Sequence, residues 1–204
     1  MKHQYTLLSI TFLLIATLQI NCKKDNAEDG AAYSKYMIDT YIECNDFTVL
    51  SDGPLVKIQF IGNEIFAGND LQGFHTIARQ HNDTTYNRKL VRSRYMSIND
   101  SISEISIICD KDISEQYLAE TELNSLFTFK AQTVYNIIQN NYNSYTAEQI
   151  AIPANKICYS NTRIIFPQCE LLLNETPQIK GAYTFDFSIK LSSKTLTKKV
   201  TIDF

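Results

Sequence analysis

The chain has 204 residues, with 19 Lys and Arg against 22 Asp and Glu, and 44% of it is hydrophobic. A formal charge of -3 gives no basic footprint for nucleic acid. Six Gly and four Pro exclude collagen-like or long low-complexity segments, and the length suits one domain or two small ones.

Lys2 and His3 open the chain, and Leu7 to Leu18 carry a short apolar run. That run is too short for a bilayer span, which takes ~20 residues. It has the form of a secretory signal that is cleaved off. Leu18-Gln19-Ile20-Asn21-Cys22-Lys23-Lys24-Asp25 follows. A Cys at this point resembles the lipobox of bacterial lipoproteins. Leu18 stands four residues before Cys22, and Asn21 directly precedes it. This is looser than the common pattern and is similar to the lipoproteins of Bacteroidetes, as is the Cys-Lys-Lys-Asp start. The resemblance implies a lipoprotein signal peptide over 1–21 and lipidation of Cys22 as the first mature residue. It also implies an outer-membrane location in the cell envelope, periplasmic or surface-exposed. Each buried methylene contributes ~0.8 kcal/mol, so several acyl chains anchor a protein stably. Residues 22–33 read as a flexible tether, too polar to bury a core. Asp25, Glu28 and Asp29 in it resemble surface-export signals of the same lipoproteins. The remaining 34–204 then form a single β-rich globular domain.

Along that domain, Phe47–Leu50 and Leu55–Ile61 flank Ser51-Asp52-Gly53-Pro54, a turn in which Gly supplies positive φ and Pro presets its own. Gly62-Asn63 reads as a second hairpin turn. Phe74, Ile77, Ala78 and His81 stand at helical spacing. Arg88–Ile98 reads as a polar strand and Ile102–Cys109 as a strongly apolar one. Asp112-Ile113-Ser114-Glu115 has the form of a capping box that opens a helix. Ala131–Asn141 fits both a helix and a strand. Arg163–Phe166 and Cys169–Leu173 read as strands separated by Pro167. Tyr183, Phe185, Phe187, Ile189 and Leu191 alternate with polar residues, and Leu196 to Phe204 continues the alternation after Ser192-Ser193-Lys194. These two segments predict a closing hairpin whose edge is protected by Lys194, Lys198 and Lys199. The pattern as a whole predicts a mainly β fold, an antiparallel immunoglobulin-like β-sandwich with one to three short helices. Glu122–Phe127 and the Tyr-x-Phe-x-Phe start of the hairpin resemble a broad group of Bacteroidetes lipoproteins of unknown function. That resemblance assigns no site residues.

Cys44, Cys109, Cys158 and Cys169 make an even set that permits two disulfides in an exported protein. No Cys-x-x-Cys pair suggests zinc, and no cofactor motif is present. His75 and His81, near Asp70 and Asp83, are six residues apart and share no helix face, so no metal or acid–base set follows. Asp110 and Asp112 pair as carboxylates do in glycosidases, and equally as caps do before a turn. The segment Tyr135–Tyr145 gathers tyrosines and amides. Tyr135, Tyr142 and Tyr145 are the candidate binding surface, since aromatic faces beside amides suit glycans and tyrosine is favoured in protein recognition. Asp83-Thr84-Thr85 and Asp100-Ser101-Ile102 resemble a short O-glycosylation pattern, which requires exposure. The expectation is a lipid-anchored, non-enzymatic envelope protein that binds a glycan or protein ligand. The rivals are a pilus-type assembly subunit and a small envelope hydrolase.

Overall fold

The structure, a computed structural model, describes residues 33–89, 95–143 and 146–204. Strands dominate. In chain order they are β1 (Tyr33–Ser34), β2 (Ile38–Asp52), β3 (Leu55–Phe66), β4 (Arg88–Lys89), β5 (Tyr95–Ile98) and β6 (Ile102–Cys109). There follow β7 (Phe127–Thr133), β8 (Glu148–Pro153), β9 (Ile165–Leu173), β10 (Ala182–Leu191) and β11 (Thr195–Asp203). Two α-helices are described, α1 (Leu71–Gln80) and α2 (Tyr135–Gln139). One sheet has the order β5-β2-β3-β9-β7-β8, a second β11-β10-β6, and β1 pairs with β4 alone. All these pairings are antiparallel except that of β2 with β5.

Alternation builds the main core. Tyr183, Phe185, Phe187 and Ile189 all point inward from β10 and are buried, as are Ile105 and Ile107 beside them on β6. They meet Phe47, Phe60, Phe127 and Phe129 of the six-stranded sheet in one apolar layer. Phe127 stands edge-on to Phe185 at 6.0 Å and to Phe187 at 6.5 Å, across the two sheets. Each such side chain contributes ~1.5–3 kcal/mol by leaving water. A one-residue slip of β10 would turn all four of its inward residues to solvent. Lys198 of β11 closes one side. Its ammonium donates to both Asp46 carboxylate oxygens (3.0 and 2.9 Å) and to the Phe47 carbonyl (2.6 Å) on β2. That bond chiefly pulls the exposed Asp46 carboxyl below its ordinary value.

A second core lies on the opposite face of the large sheet. Tyr41 and Ile42 are consecutive on β2, yet Tyr41 belongs to this second cluster and Ile42 to the first. Phe74, Ile77 and Ala78 of α1 cover Tyr41, together with Ile137 and Ile138 of α2. The spacing of Phe74, Ile77 and Ala78 is the helical one, and the Asp70 carboxylate caps the start by accepting from Gly73 N–H at 2.9 Å.

Several local expectations are corrected. Gly62-Asn63 is no turn: β3 runs straight through it, and Gly62 faces Cys44 where Asn45 is the extra residue of a bulge in β2. A Cβ on Gly62 would lie 1.9 Å from the Glu43 carbonyl oxygen, so the close approach needs glycine there. Pro167 does not end a strand. β9 passes through it, because its missing N–H falls at a bulge opposite Gln132. Asp112–Glu115 opens no helix; Ile113 N–H bonds back to the Tyr117 carbonyl at 2.9 Å, and the chain returns to bridge Ile108 with Glu122. Ala131–Asn141 is both alternatives in turn, strand to Thr133 and helix from Tyr135. Of the polar strand over Arg88–Ile98, β4 and β5 are seen, with 90–94 outside the described residues.

Candidate functional site

The end of β7 organises a groove. Thr133 is its last residue, buried at 5% exposure. Its hydroxyl lies 2.7 Å from the Arg163 carbonyl and 3.0 Å from the Ile164 carbonyl, and accepts from Tyr135 N–H at 3.0 Å. One side chain thereby ties the start of α2 to the approach of β9. Ile164 has φ 51°, a left-handed conformation that a β-branched residue adopts only under strain. Such strain, ~1–3 kcal/mol, persists where surrounding structure enforces it, and here it falls beside Arg163.

Arg163 is held rather than left to wander. Its Nη1 donates to the Tyr135 hydroxyl at 2.9 Å. The guanidinium lies over two rings, 5.4 Å from the centre of Tyr135 and 4.8 Å from that of Tyr159, at a gain of ~0.5–2 kcal/mol for each such contact. Its Nε is buried without a hydrogen-bond partner. The 3-10 turn Tyr159–Asn161 is fixed by reciprocal caps: Asn161 Oδ1 accepts from Cys158 N–H at 3.0 Å and the Cys158 side chain accepts from Asn161 N–H, while Asn161 Nδ2 donates to the Lys156 carbonyl at 3.0 Å. Opposite runs β8, the edge of the large sheet. Between these elements lies an open groove of ≈ 370 Å³, lined by Tyr135 and Asn136, by Glu148 through Ile152, and by Ser160, Asn161 and Arg163. Five consecutive residues of β8 line it, so it follows the strand rather than one of its faces. Asn136 Nδ2 donates to the Glu148 carboxylate across one end.

The tyrosine–amide segment is therefore split by the fold. Tyr135 and Asn136 face the groove. Tyr142 is turned into the second core and is 3% exposed. Its hydroxyl donates to Asp83 Oδ1 at 2.9 Å, and its own φ of 59° is left-handed. Tyr145 lies outside the described residues, as does Cys22. Asp83 itself is fully buried. Its carboxylate accepts from Met37 N–H (2.8 and 3.0 Å) and Ile38 N–H (2.8 Å), which pins the start of β2 to the segment after α1. Burial raises the Asp83 carboxyl above its ordinary value, against the pull of those donors. Ser101 and Ile102 are buried, so the second O-glycosylation pattern does not stand on an exposed surface, whereas Thr84 and Thr85, after the buried Asp83, are half-buried and exposed.

His75 and His81 do not converge. The His75 ring stacks on Tyr36 at 5.5 Å and the His81 ring on Tyr41 at 5.7 Å. Burial, and then the Arg163 charge, hold His81 below its ordinary value, opposed by a bond to the Asn99 backbone. Asp110 Oδ1 accepts from Thr184 N–H at 2.8 Å and Asp112 Oδ1 from Ala119 N–H at 2.6 Å, so each serves the backbone. Among the described residues, no three His, Cys, Asp or Glu gather as metal ligands would. The four cysteines whose even count permits disulfides are free thiols. Cys44, Cys109 and Cys169 sit in the main core, where a thiol acts as a small apolar group. Burial pushes Cys44 up to about 12. Cys158 is exposed, and the Ser160 hydroxyl, 3.1 Å away, chiefly draws its thiol below the ordinary value.

Arg163, Tyr159 and Glu148 were not singled out by the sequence reading. The only local signal is Tyr159 four residues before Arg163; Tyr135 joins them through the pairing of Thr133 with Ile165.

No protein-family model, curated protein or solved structure matches the chain. Among the described residues no helix is long and apolar enough to cross a membrane.

Proposed function

We propose that this is a non-enzymatic binding protein of the cell envelope, anchored at the outer membrane by a lipid on Cys22, whose groove along β8 receives a glycan or protein ligand. The observation that carries the reading is the ring-clamped Arg163 beside Tyr135, in a groove whose walls are fixed by Thr133. A rigid aromatic and cationic pair is the composition favoured at recognition sites. Separation of His75 and His81, each stacked on a tyrosine, favours binding over hydrolysis. The immunoglobulin-like class of sandwich belongs to the same proposal, supported by two largely antiparallel sheets over one core.

A glycan array probed with the purified chain and with Tyr135→Ala tests the binding site. Wild type should give discrete signals that Tyr135→Ala loses while its Tm holds. Signals indifferent to Tyr135 would remove the groove from the reading. Cys22→Ala should shift the protein from the membrane to the soluble fraction; membrane retention without Cys22 would refute the anchor.

A further inference from the structure

The groove's charge narrows the ligand. Resting on the reading of this groove as the binding site, we infer that it takes a carboxylate-bearing sugar of the uronic acid class, with the carboxylate on the Arg163 guanidinium. Arg163 is the only cation among the described lining residues. Among the described residues no carboxylate forms an ion pair with it: the described ion pairs all use lysines. Glu148 lines the same groove and keeps its charge, but its carboxylate is held at one end by Asn136 and forms no ion pair with Arg163. Of the five guanidinium N–H groups, one is bonded to Tyr135, and Nε is buried without a partner. A neutral ligand laid over this group would strip water from an unpaired charge, which is costly. A carboxylate would instead take up the fork in two parallel charge-assisted bonds, and the rings of Tyr135 and Tyr159 hold the fork in place for it. The sugar part follows from the walls. The Tyr135 ring offers an apolar face, and Gln149 and Ser160 offer groups that both donate and accept, as sugar hydroxyls require.

Titration calorimetry of the full chain with trigalacturonate, with its methyl ester and with tetraglutamate tests this. Trigalacturonate should bind, more weakly as salt rises. The methyl ester, which trades each carboxylate charge for a methyl group, should bind at least ten-fold more weakly. Arg163→Lys keeps the charge and loses the fork, and should weaken trigalacturonate ten-fold or more with the Tm unchanged. If that variant unfolds, Gln149→Ala at the exposed wall should still weaken trigalacturonate several-fold. Equal affinity for acid and ester would overturn the inference and leave the groove as a neutral-glycan site. Binding of tetraglutamate alone would make it a peptide site and overturn the inference. Absence of binding to all three would also overturn it, while the array test of Tyr135 would still decide the broader reading.

Discussion

At the scale of single residues, Asp83 carries the largest structural burden. Its carboxylate is the acceptor for two backbone N–H groups and one tyrosine hydroxyl, all inside the second core. Asp83→Asn turns an amide toward donors and leaves one of them unpaired. The expected cost is about 2–3 kcal/mol, a fall in Tm of roughly 4–12 °C for a domain of this size. Its pH dependence has a defined sign. Burial raises the folded-state value above the ordinary one, so the folded chain holds that proton more tightly than the unfolded chain does. The resulting contribution is full below the ordinary carboxylate value and is lost as pH rises through the folded one. The Tm gap between wild type and Asp83→Asn should therefore widen as pH falls from about 7 toward about 4. A gap that narrows would mean that the three donors outweigh burial. Exposed Asp46 and Asp110, both lowered, shift with pH in the opposite sense in both proteins and cancel from the gap. The thiols give a second residue-scale expectation. Maleimide added to the native chain should modify Cys158 and spare Cys44, Cys109 and Cys169 until denaturant is added, as read by peptide mapping. Prompt modification of a core thiol would contradict the packing of the main core.

At the scale of elements, two glycines of one hairpin separate close approach from backbone conformation. Gly53 has φ 54° at the β2–β3 turn, and a Cβ there meets nothing within 4 Å. Gly53→Ala should cost about 1–2 kcal/mol, the price of a left-handed alanine. Gly62→Ala must instead move the Glu43 backbone out of the bulge, and should cost more, about 2–4 kcal/mol. Urea unfolding of the two variants checks the order; a reversed order would mean that the bulge is not built as described. The same glycine shows what could be read beforehand. Alternation is a short-range signal, so β10, β11 and β6 were legible from their own residues. Gly-Asn marks a hairpin turn as readily as a bulge, and only the partner strand decides between them. Pro167 likewise breaks a strand unless the neighbour bulges opposite it, and Gln132 on β7 is far away in sequence. Asp112–Glu115 has the letters of a capping box, but the chain must return to Ile108 by Glu122 and leaves no length for a helix.

At the scale of the whole molecule, the candidate site was legible only in part. Tyr135 was named from its company of amides, and it does line the groove. Tyr142, from the same run, is in the core, because two left-handed residues after α2 turn it toward Asp83. Arg163 could not be found locally, since it reaches Tyr135 only after β7 and β9 have paired. Nor does the main core depend on the groove: it is built by residues of the two sheets, while α2, β8 and the turn before Arg163 shape the edge. Ligand contacts there should leave the rest of the fold unmoved. The most direct measurement is a set of amide chemical shifts, recorded on the isotopically labelled chain as trigalacturonate is added. Shifts should move at residues 135–136, 148–152 and 159–163 and stay fixed along β10 and β11; movement confined to other surfaces, or none at all, would contradict the assignment of the groove.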